Sequence, residues 1–227
     1  MPKFAQEQAV RTPNSPAMTD PSKSLTWEQV DEIINRAANL ILEADLGEKR
    51  RIAVFAENAS ETALAHLGGL FGGASSVPVN FHLTAEEASY ILKDSESQIL
   101  FVDDKTAERA IQAAKEAGIA LIIGWECQEY AEITDWEDWL LSGSPDPCPD
   151  EVVPRPNLLY TSGTTGLPKG TELPPTMFAG GTTMTEHIEG LSQSGFAAFG
   201  THLVVGPMYH TGPLSGMRLL TLGIPSV

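Results

Sequence analysis

The chain has 227 residues, 42% of them apolar, with 14 basic and 30 acidic side chains and a formal charge of −16. That composition builds a packed core rather than a disordered tail, and the charge argues against nucleic acid or an anionic membrane surface as partner. Two cysteines, Cys127 and Cys148, are too few and too widely spaced for a disulfide scaffold or a zinc site, so a reduced, cytoplasmic setting is the default expectation.

In chain order, the apolar pattern predicts alternating helices and strands. The first residues, Met1-Pro2-Lys3-Phe4, lack the apolar run of a signal peptide. Residues 26–43 place Val30, Ile33, Ile34, Ala37, Leu40 and Ile41 at helical spacing, with Gly47 just beyond. A short apolar strand is predicted at 51–56 and a helix at 60–71. The stretch 62–85 holds no acid, lysine or arginine, but four glycines and Pro78 break it. A buried helix followed by a buried strand explains it better than a membrane span, and its paired glycines point to close packing against a sheet. Further strands are predicted at 75–79, 99–102, 121–123, 158–161 and 202–205, and helices at 85–93, 106–117, 136–142, 176–189 and 214–222. Strands alternating with helices imply βαβ units, hence an α/β fold with a mostly parallel sheet covered by helices. Residues 145–156, with five prolines, read as a linker feeding the strand at 158–161.

After that strand comes Tyr160-Thr161-Ser162-Gly163-Thr164-Thr165-Gly166-Leu167-Pro168-Lys169-Gly170, with three glycines, four hydroxyl residues of Ser or Thr type and one lysine. Such a loop suits a polyphosphate. Glycines let the backbone turn through positive φ and bring N–H groups close to the ligand; hydroxyls add donors and the lysine a point charge. The spacing is not that of a Walker A loop, since only two residues separate Gly163 from Gly166, and no G-x-G-x-x-G dinucleotide fingerprint occurs. An acidic chain needs a local reversal of sign to hold such an anion. Residues 126–151 contain nine acids and no lysine or arginine, whereas 152–171 contain two bases and no acid. The acidic run itself reads as a solvated surface helix and linker.

This string resembles the phosphate-loop signature of the adenylate-forming (AMP-binding) superfamily, which includes acyl-CoA synthetases, peptide-synthetase adenylation domains and luciferases. Other segments resemble the same family: Leu25-Thr26-Trp27-Glu28 with Asn35-Arg36-Ala37, Arg51-Ile52-Ala53-Val54-Phe55-Ala56-Glu57-Asn58, Pro78-Val79-Asn80, Tyr90-Ile91-Leu92-Lys93-Asp94-Ser95, and Gly206-Pro207-Met208-Tyr209-His210-Thr211-Gly212-Pro213. The resemblance runs from about residue 20 onward and covers half or less of a family member. It implies the first subdomain of an acyl-CoA synthetase-like large domain, C-terminally truncated. Residues 1–50 would then be an N-terminal flank and helix belonging to a second sheet. Residues 51–200 would form the α/β subdomain with the phosphate loop, and 201–227 the incomplete start of a second subdomain. Flanks so short of partners are expected to favour self-association.

The resemblance also implies the chemistry. A carboxylic acid is activated with ATP and magnesium to an acyl-adenylate, then passed to coenzyme A. Thr161, Ser162, Gly163, Thr164, Thr165, Gly166 and Lys169 would bind the ATP phosphates, and His210, with Tyr209 and Gly212, would border the acyl site. No complete catalytic set is expected here, so the chain alone would be inactive. A fatty acid is the favoured substrate class, because Gly170-Thr171-Glu172-Leu173-Pro174-Pro175 departs from the family's commoner K-G-V-x-x-[ST]-H and resembles fatty-acyl-CoA synthetases, especially bacterial ones; aromatic acids and steroid side-chain acids stay open. A rival reading is a catalytically dead α/β module that binds phosphate ligands or proteins. Taken alone, a histidine after Met-Tyr is more often a packed or solvated side chain. The five histidines show neither H-E-x-x-H nor Cys/His ligand spacing, so no metal site is expected from protein ligands. No G-x-S-x-G elbow is present; Gly212-Pro213-Leu214-Ser215-Gly216 has the wrong spacing.

Overall fold

A computed structural model describes residues 3–161, 167–174, 178–194 and 200–227, with the side chains of Lys3 and Phe4 left aside. Its centre is a five-stranded sheet in the order β4-β3-β5-β6-β7, with every neighbouring pair parallel. These strands are β3 (Arg51–Phe55), β4 (Ser75–Pro78), β5 (Ile99–Asp103), β6 (Leu121–Trp125) and β7 (Thr134–Asp135). Period-two alternation divides their side chains between two cores. Ile52, Val54, Ile99, Phe101 and Ile123 face one core, and Ala53, Phe55, Leu100, Val102 and Ile122 face the other.

The first core is roofed by α2 (Trp27–Glu43), α3 (Ser60–Phe71) and α6 (Trp136–Leu141). Helix α2 starts from a capping box. The Thr26 side chain accepts from the Gln29 N–H, and the Gln29 side chain accepts from the Thr26 N–H. It buries Trp27, Val30, Ile34, Ala37, Ala38 and Ile41 along one stripe. Every residue of α3 is buried, and its glycines explain how. A Cβ on Gly68 would stand 2.7 Å from the Ala37 Cβ, and one on Gly72 would stand 2.6 Å from the Ile41 Cγ2. The paired glycines therefore serve helix-to-helix approach, as the sequence suggests. Arg50 closes this layer by donating to the Ile41, Gly72 and Gly73 carbonyls at the ends of both helices. Phe101, Trp125, Trp136 and Trp139 fill the far end with edge-to-face contacts of 5.4–6.0 Å.

The second core lies under α4 (Ala85–Asp94) and α5 (Ala107–Ala117). A second capping box, Thr84 with Glu87, starts α4, and Gly118 at φ 79° ends α5.

Several elements depart from the sequence reading. The strand predicted at 158–161 does not join the parallel sheet. It is β8 (Leu158–Thr161), half of an antiparallel hairpin with β9 (Lys169–Glu172). A seven-residue separation suits a hairpin, whereas a parallel neighbour needs a long crossover. No strand forms at 202–205 among the described residues. His202 and Val204 pair only locally with residues 225–227, between Gly200 and Gly206, both at positive φ. The helix predicted at 176–189 is α7 (Met184–Ser192), because Gly180 and Gly181 adopt φ 71° and 108° and Thr183 caps the first turn. The helix predicted at 214–222 divides into α8 (Thr211–Gly216) and a 3₁₀ turn, Met217–Leu222. Unforeseen were α1 (Lys3–Arg11), the hairpin β1 (Pro16–Thr19) with β2 (Ser24–Thr26), β7 and β9.

The two ends of the chain meet each other. The Thr19 N–H donates to the Ser226 carbonyl at 2.9 Å and the Ser226 N–H to the Ala17 carbonyl at 2.8 Å. On the other side, the Val227 N–H donates to the His202 carbonyl at 2.8 Å. Asp20 fastens this strip to the start of α3, accepting from the Ser60 N–H at 3.0 Å and the Ser60 hydroxyl at 2.6 Å. Burial opposes its ionisation, but the bonds from Ser22 and Ser60 prevail and hold its carboxyl far below the usual range.

Candidate functional site

The phosphate-loop candidates run from the end of β8 to the start of β9 in the chain. Ser162, Gly163, Thr164, Thr165 and Gly166 lie outside the described residues. Thr161 and Lys169, which bracket them, are directly paired in the hairpin register, and both are exposed. One step back, Tyr160 pairs with Gly170, and the Tyr160 ring lies over that glycine. A Cβ there would sit 3.2 Å from the Tyr160 Cζ. Gly170 thus gives the Tyr160 ring close room, while Lys169 stands exposed at the loop end.

Helix α4 holds the hairpin in place. The Tyr160 hydroxyl donates to Asp94 Oδ2 at 2.6 Å, and the Tyr90 hydroxyl donates to the Pro168 carbonyl at 3.2 Å. Arg51 bridges from the Ser95 carbonyl, at 2.9 Å, to Glu172 Oε1, at 3.7 Å. Burial and then Asp94 push the Tyr160 phenol well above its ordinary pKa, so it remains a donor at any working pH.

The Tyr209-His210 segment sits at the C-terminal ends of β3 and β4. Asn58 clamps it from below, accepting from the Met208 N–H at 2.8 Å and donating to the Gly206 carbonyl at 2.9 Å. Tyr209 stands edge-on to Phe81 at 5.2 Å and lies 4.4 Å from the His210 ring. His210 and Gly212 are both exposed, and a Cβ on Gly212 would meet open space. A cavity of about 390 Å³ opens between Glu57, Asn58, Phe81, Gly206 and Pro207. Lys169 and His210 therefore approach the β4–α4 segment at different points, through Pro168 on Tyr90 and through Tyr209 on Phe81. Among the described residues, no hydrogen bond or ring contact joins them.

Open parallel sheets bind anions where the strand order reverses, here between β3 and β5. A cavity of about 230 Å³ opens there, lined by Glu57, Asp103, Asp104, Lys105 and Glu126 among others. Asp103 lies in it, accepting from the Glu57 N–H at 2.8 Å and the Thr106 N–H at 3.0 Å. A phosphate arriving there would meet the carboxylates of Glu57, Asp103, Asp104 and Glu126, with Lys105 as a basic side chain of that lining. Away from both, Arg218 is buried with its guanidinium 4.9 Å over the Phe178 ring, and burial lowers its pKa to about 10. Sequence reasoning passed over Asn58, Phe81, Tyr90 and Asp94 as site elements. Asn58, Tyr90 and Asp94 lie in segments singled out for their likeness, and Phe81 directly follows one, but nothing in their spacing marks a pair that meets only in three dimensions.

The sequence model of the AMP-binding enzyme family matches residues 5–223, nearly the whole chain. The chain belongs to this family. Among its members, the fatty acid–[acyl-carrier-protein] ligase ScoC of Streptomyces coeruleorubidus is 33% identical over 170 residues, 73% of this chain and 31% of that protein. The long-chain-fatty-acid–CoA ligase FadD13 of Mycobacterium tuberculosis is 30% identical over 175 residues, 73% of this chain and 33% of that one. In structure, the N-terminal domain of FACL13 from Mycobacterium tuberculosis superposes with a TM-score of 0.72 at 24% identity, covering 98% of this chain and 55% of that one. The chain thus has the N-terminal fold of an acyl-CoA ligase and spans about a third of the length of these two curated relatives. No helix among the described residues is long and apolar enough to cross a membrane.

Proposed function

We propose that this AMP-binding chain is the N-terminal portion of a cytoplasmic acid–thiol ligase. That ligase uses ATP to convert a fatty acid to its acyl-adenylate and then forms a thioester with coenzyme A. The supporting observation is the hairpin register, which sets Thr161 opposite Lys169 at the two ends of the signature loop, within the stretch from 152 to 171 that holds two bases and no acid. The fatty-acid class is favoured by the names of the two relatives, and they differ in the acceptor, carrier protein in one and coenzyme A in the other. The division into 1–50, 51–200 and 201–227 belongs to the same proposal.

In this reading a carboxylate oxygen attacks the α-phosphorus of ATP, and the bond to pyrophosphate breaks. Two anions must be brought together, which demands positioning and charge stabilisation. Thr161, Ser162, Gly163, Thr164, Thr165 and Gly166 would donate to the β- and γ-phosphates, with Lys169 as countercharge. His210, Tyr209 and Gly212 would border the carboxylate, with Asn58 holding their backbone. Among the described residues, no group of three or more His, Cys, Asp or Glu side chains could hold a metal ion.

Fatty acid-dependent ATP–pyrophosphate exchange tests the reading. The 227-residue chain should show none, since positioning of carboxylate and α-phosphate can supply about 7–11 kcal/mol of the barrier and the loop alone supplies little of it. A gene product extended to the relatives' length should show it. Absence of exchange in that longer protein, with every carboxylic acid class tried, would favour a catalytically dead phosphate-binding module instead. Lys169→Ala should weaken pyrophosphate binding by about 1.5–3 kcal/mol, the range for hydrogen bonds to charged groups, with little effect on adenosine. Equal losses for both ligands in calorimetry would remove Lys169 from the phosphate site.

A further inference from the structure

We infer that the C-terminal half of α4 is the positioning element of the phosphate hairpin, with Tyr90 and Asp94 fixing its two strands so that Thr161 and Lys169 face the same ligand. The inference rests on the phosphate reading of the hairpin given above. A two-stranded hairpin is marginal by itself, and this one buries little. Leu158 is its only buried strand residue, and all of β9 is exposed. Its placement must come from outside, and a binding constellation loses function when its donors drift by more than about 0.5 Å.

Helix α4 supplies the ties on both strands. Tyr160, next to Thr161, is bonded to Asp94, and Pro168, next to Lys169, is bonded to Tyr90. Asp94 and Tyr90 stand four residues apart, on one face of α4. The tie to Asp94 ends on a carboxyl oxygen at the short distance of 2.6 Å. The Arg51 bridge from Ser95 to Glu172 adds a third hold at the hairpin's open end.

By charge alone Asp94 is adverse, because a carboxylate beside a phosphate site repels its ligand. The geometry shows what it offers instead, a fixed acceptor for Tyr160. Positioning and charge therefore predict opposite signs for its removal, and this makes the inference testable. Asp94→Ala deletes both the acceptor and the charge. Asp94→Asn keeps an acceptor and deletes the charge.

The experiment is calorimetric titration of the 227-residue chain with inorganic pyrophosphate, alongside thermal melting. Asp94→Ala and Tyr160→Phe should each weaken binding by about three- to tenfold, and the double variant should be no weaker than either single one. Asp94→Asn should bind at least as tightly as the unsubstituted chain. Tyr90→Phe should weaken binding independently of the other two. If Asp94→Ala tightens binding as Asp94→Asn does, Asp94 acts only by charge and the inference fails. If Lys169→Ala abolishes binding while Tyr160→Phe and Tyr90→Phe leave it unchanged, the phosphate reading stands and the positioning role falls. Should Asp94→Ala not fold, the two Phe variants, each lacking one oxygen, decide the matter. Failure of the unsubstituted chain to bind pyrophosphate overturns the phosphate reading and this inference with it.

Discussion

Acid should unfold this chain well before its carboxylates are protonated, because two histidines are buried in the neutral form. His66, on α3, is brought down to about 3 by burial and then by Arg218. His187, on α7, is brought down to about 4 chiefly by burial, with the Gly180 carbonyl opposing and Arg218 adding. Both folded values lie below the ordinary 6.5, so the unfolded chain binds more protons between about pH 6.5 and 4. Stability is then complete above pH 6.5 and falls as pH falls toward the folded values. Each pH unit costs about 1.4 kcal/mol per histidine, so the two together remove about 4 kcal/mol between pH 6.5 and 5 at most. That is a large share of the roughly 5–15 kcal/mol of a typical domain. Asp20 is shifted in the same direction but acts in a lower window, since its depressed carboxyl keeps its contribution down to about pH 4. The loss above pH 5 is therefore assigned to the histidines. Urea unfolding followed by tryptophan fluorescence at pH 7, 6 and 5 reads it directly. The midpoint should fall steadily in the unsubstituted chain and much less in His66→Gln/His187→Gln. A midpoint that is flat from pH 7 to 5, or one that falls equally in the double variant, would refute the burial argument.

Gly68→Ala should destabilise by about 1–3 kcal/mol through overpacking, since the Ala37 Cβ at 2.7 Å has no rotamer to retreat to; an unchanged urea midpoint would contradict the α2–α3 contact. Thr26→Ala removes one capping box and should cost about 1 kcal/mol, read as a lower midpoint at constant m-value. Leu203 and Val205 are 63% and 75% exposed beside the paired chain ends; if they drive self-association, Leu203→Glu with Val205→Lys should shift sedimentation toward monomer at high concentration, and an unchanged profile would acquit them.

What the sequence made legible follows from what each signal depends on. Elements with a strong period of their own, such as α2, α3 and β3, were placed within a residue or two, because one buried face writes itself into the spacing of Val30, Ile34, Ala37 and Ile41. The 158–161 strand was located but assigned to the wrong partner. Leu158, Leu159 and Tyr160 look as apolar as a central strand, yet only Leu158 is buried, since the rest of the strand is there to carry a loop and not to fill a core. The strip at 202–205 failed for the complementary reason. A segment without charge between 190 and 217 calls for burial, but its neighbours at 17–19 and 225–227 are too short to extend it into a strand. The site divides the same way. Its chemistry is local, eleven consecutive residues that any reader of the chain can find. Its geometry is not local, because Tyr160 finds Asp94 across 66 residues and Asn58 finds Met208 across 150. A pattern in one dimension can name the lysine proposed to meet a phosphate, but the side chains proposed to aim it are visible only once the helix beside it has been placed.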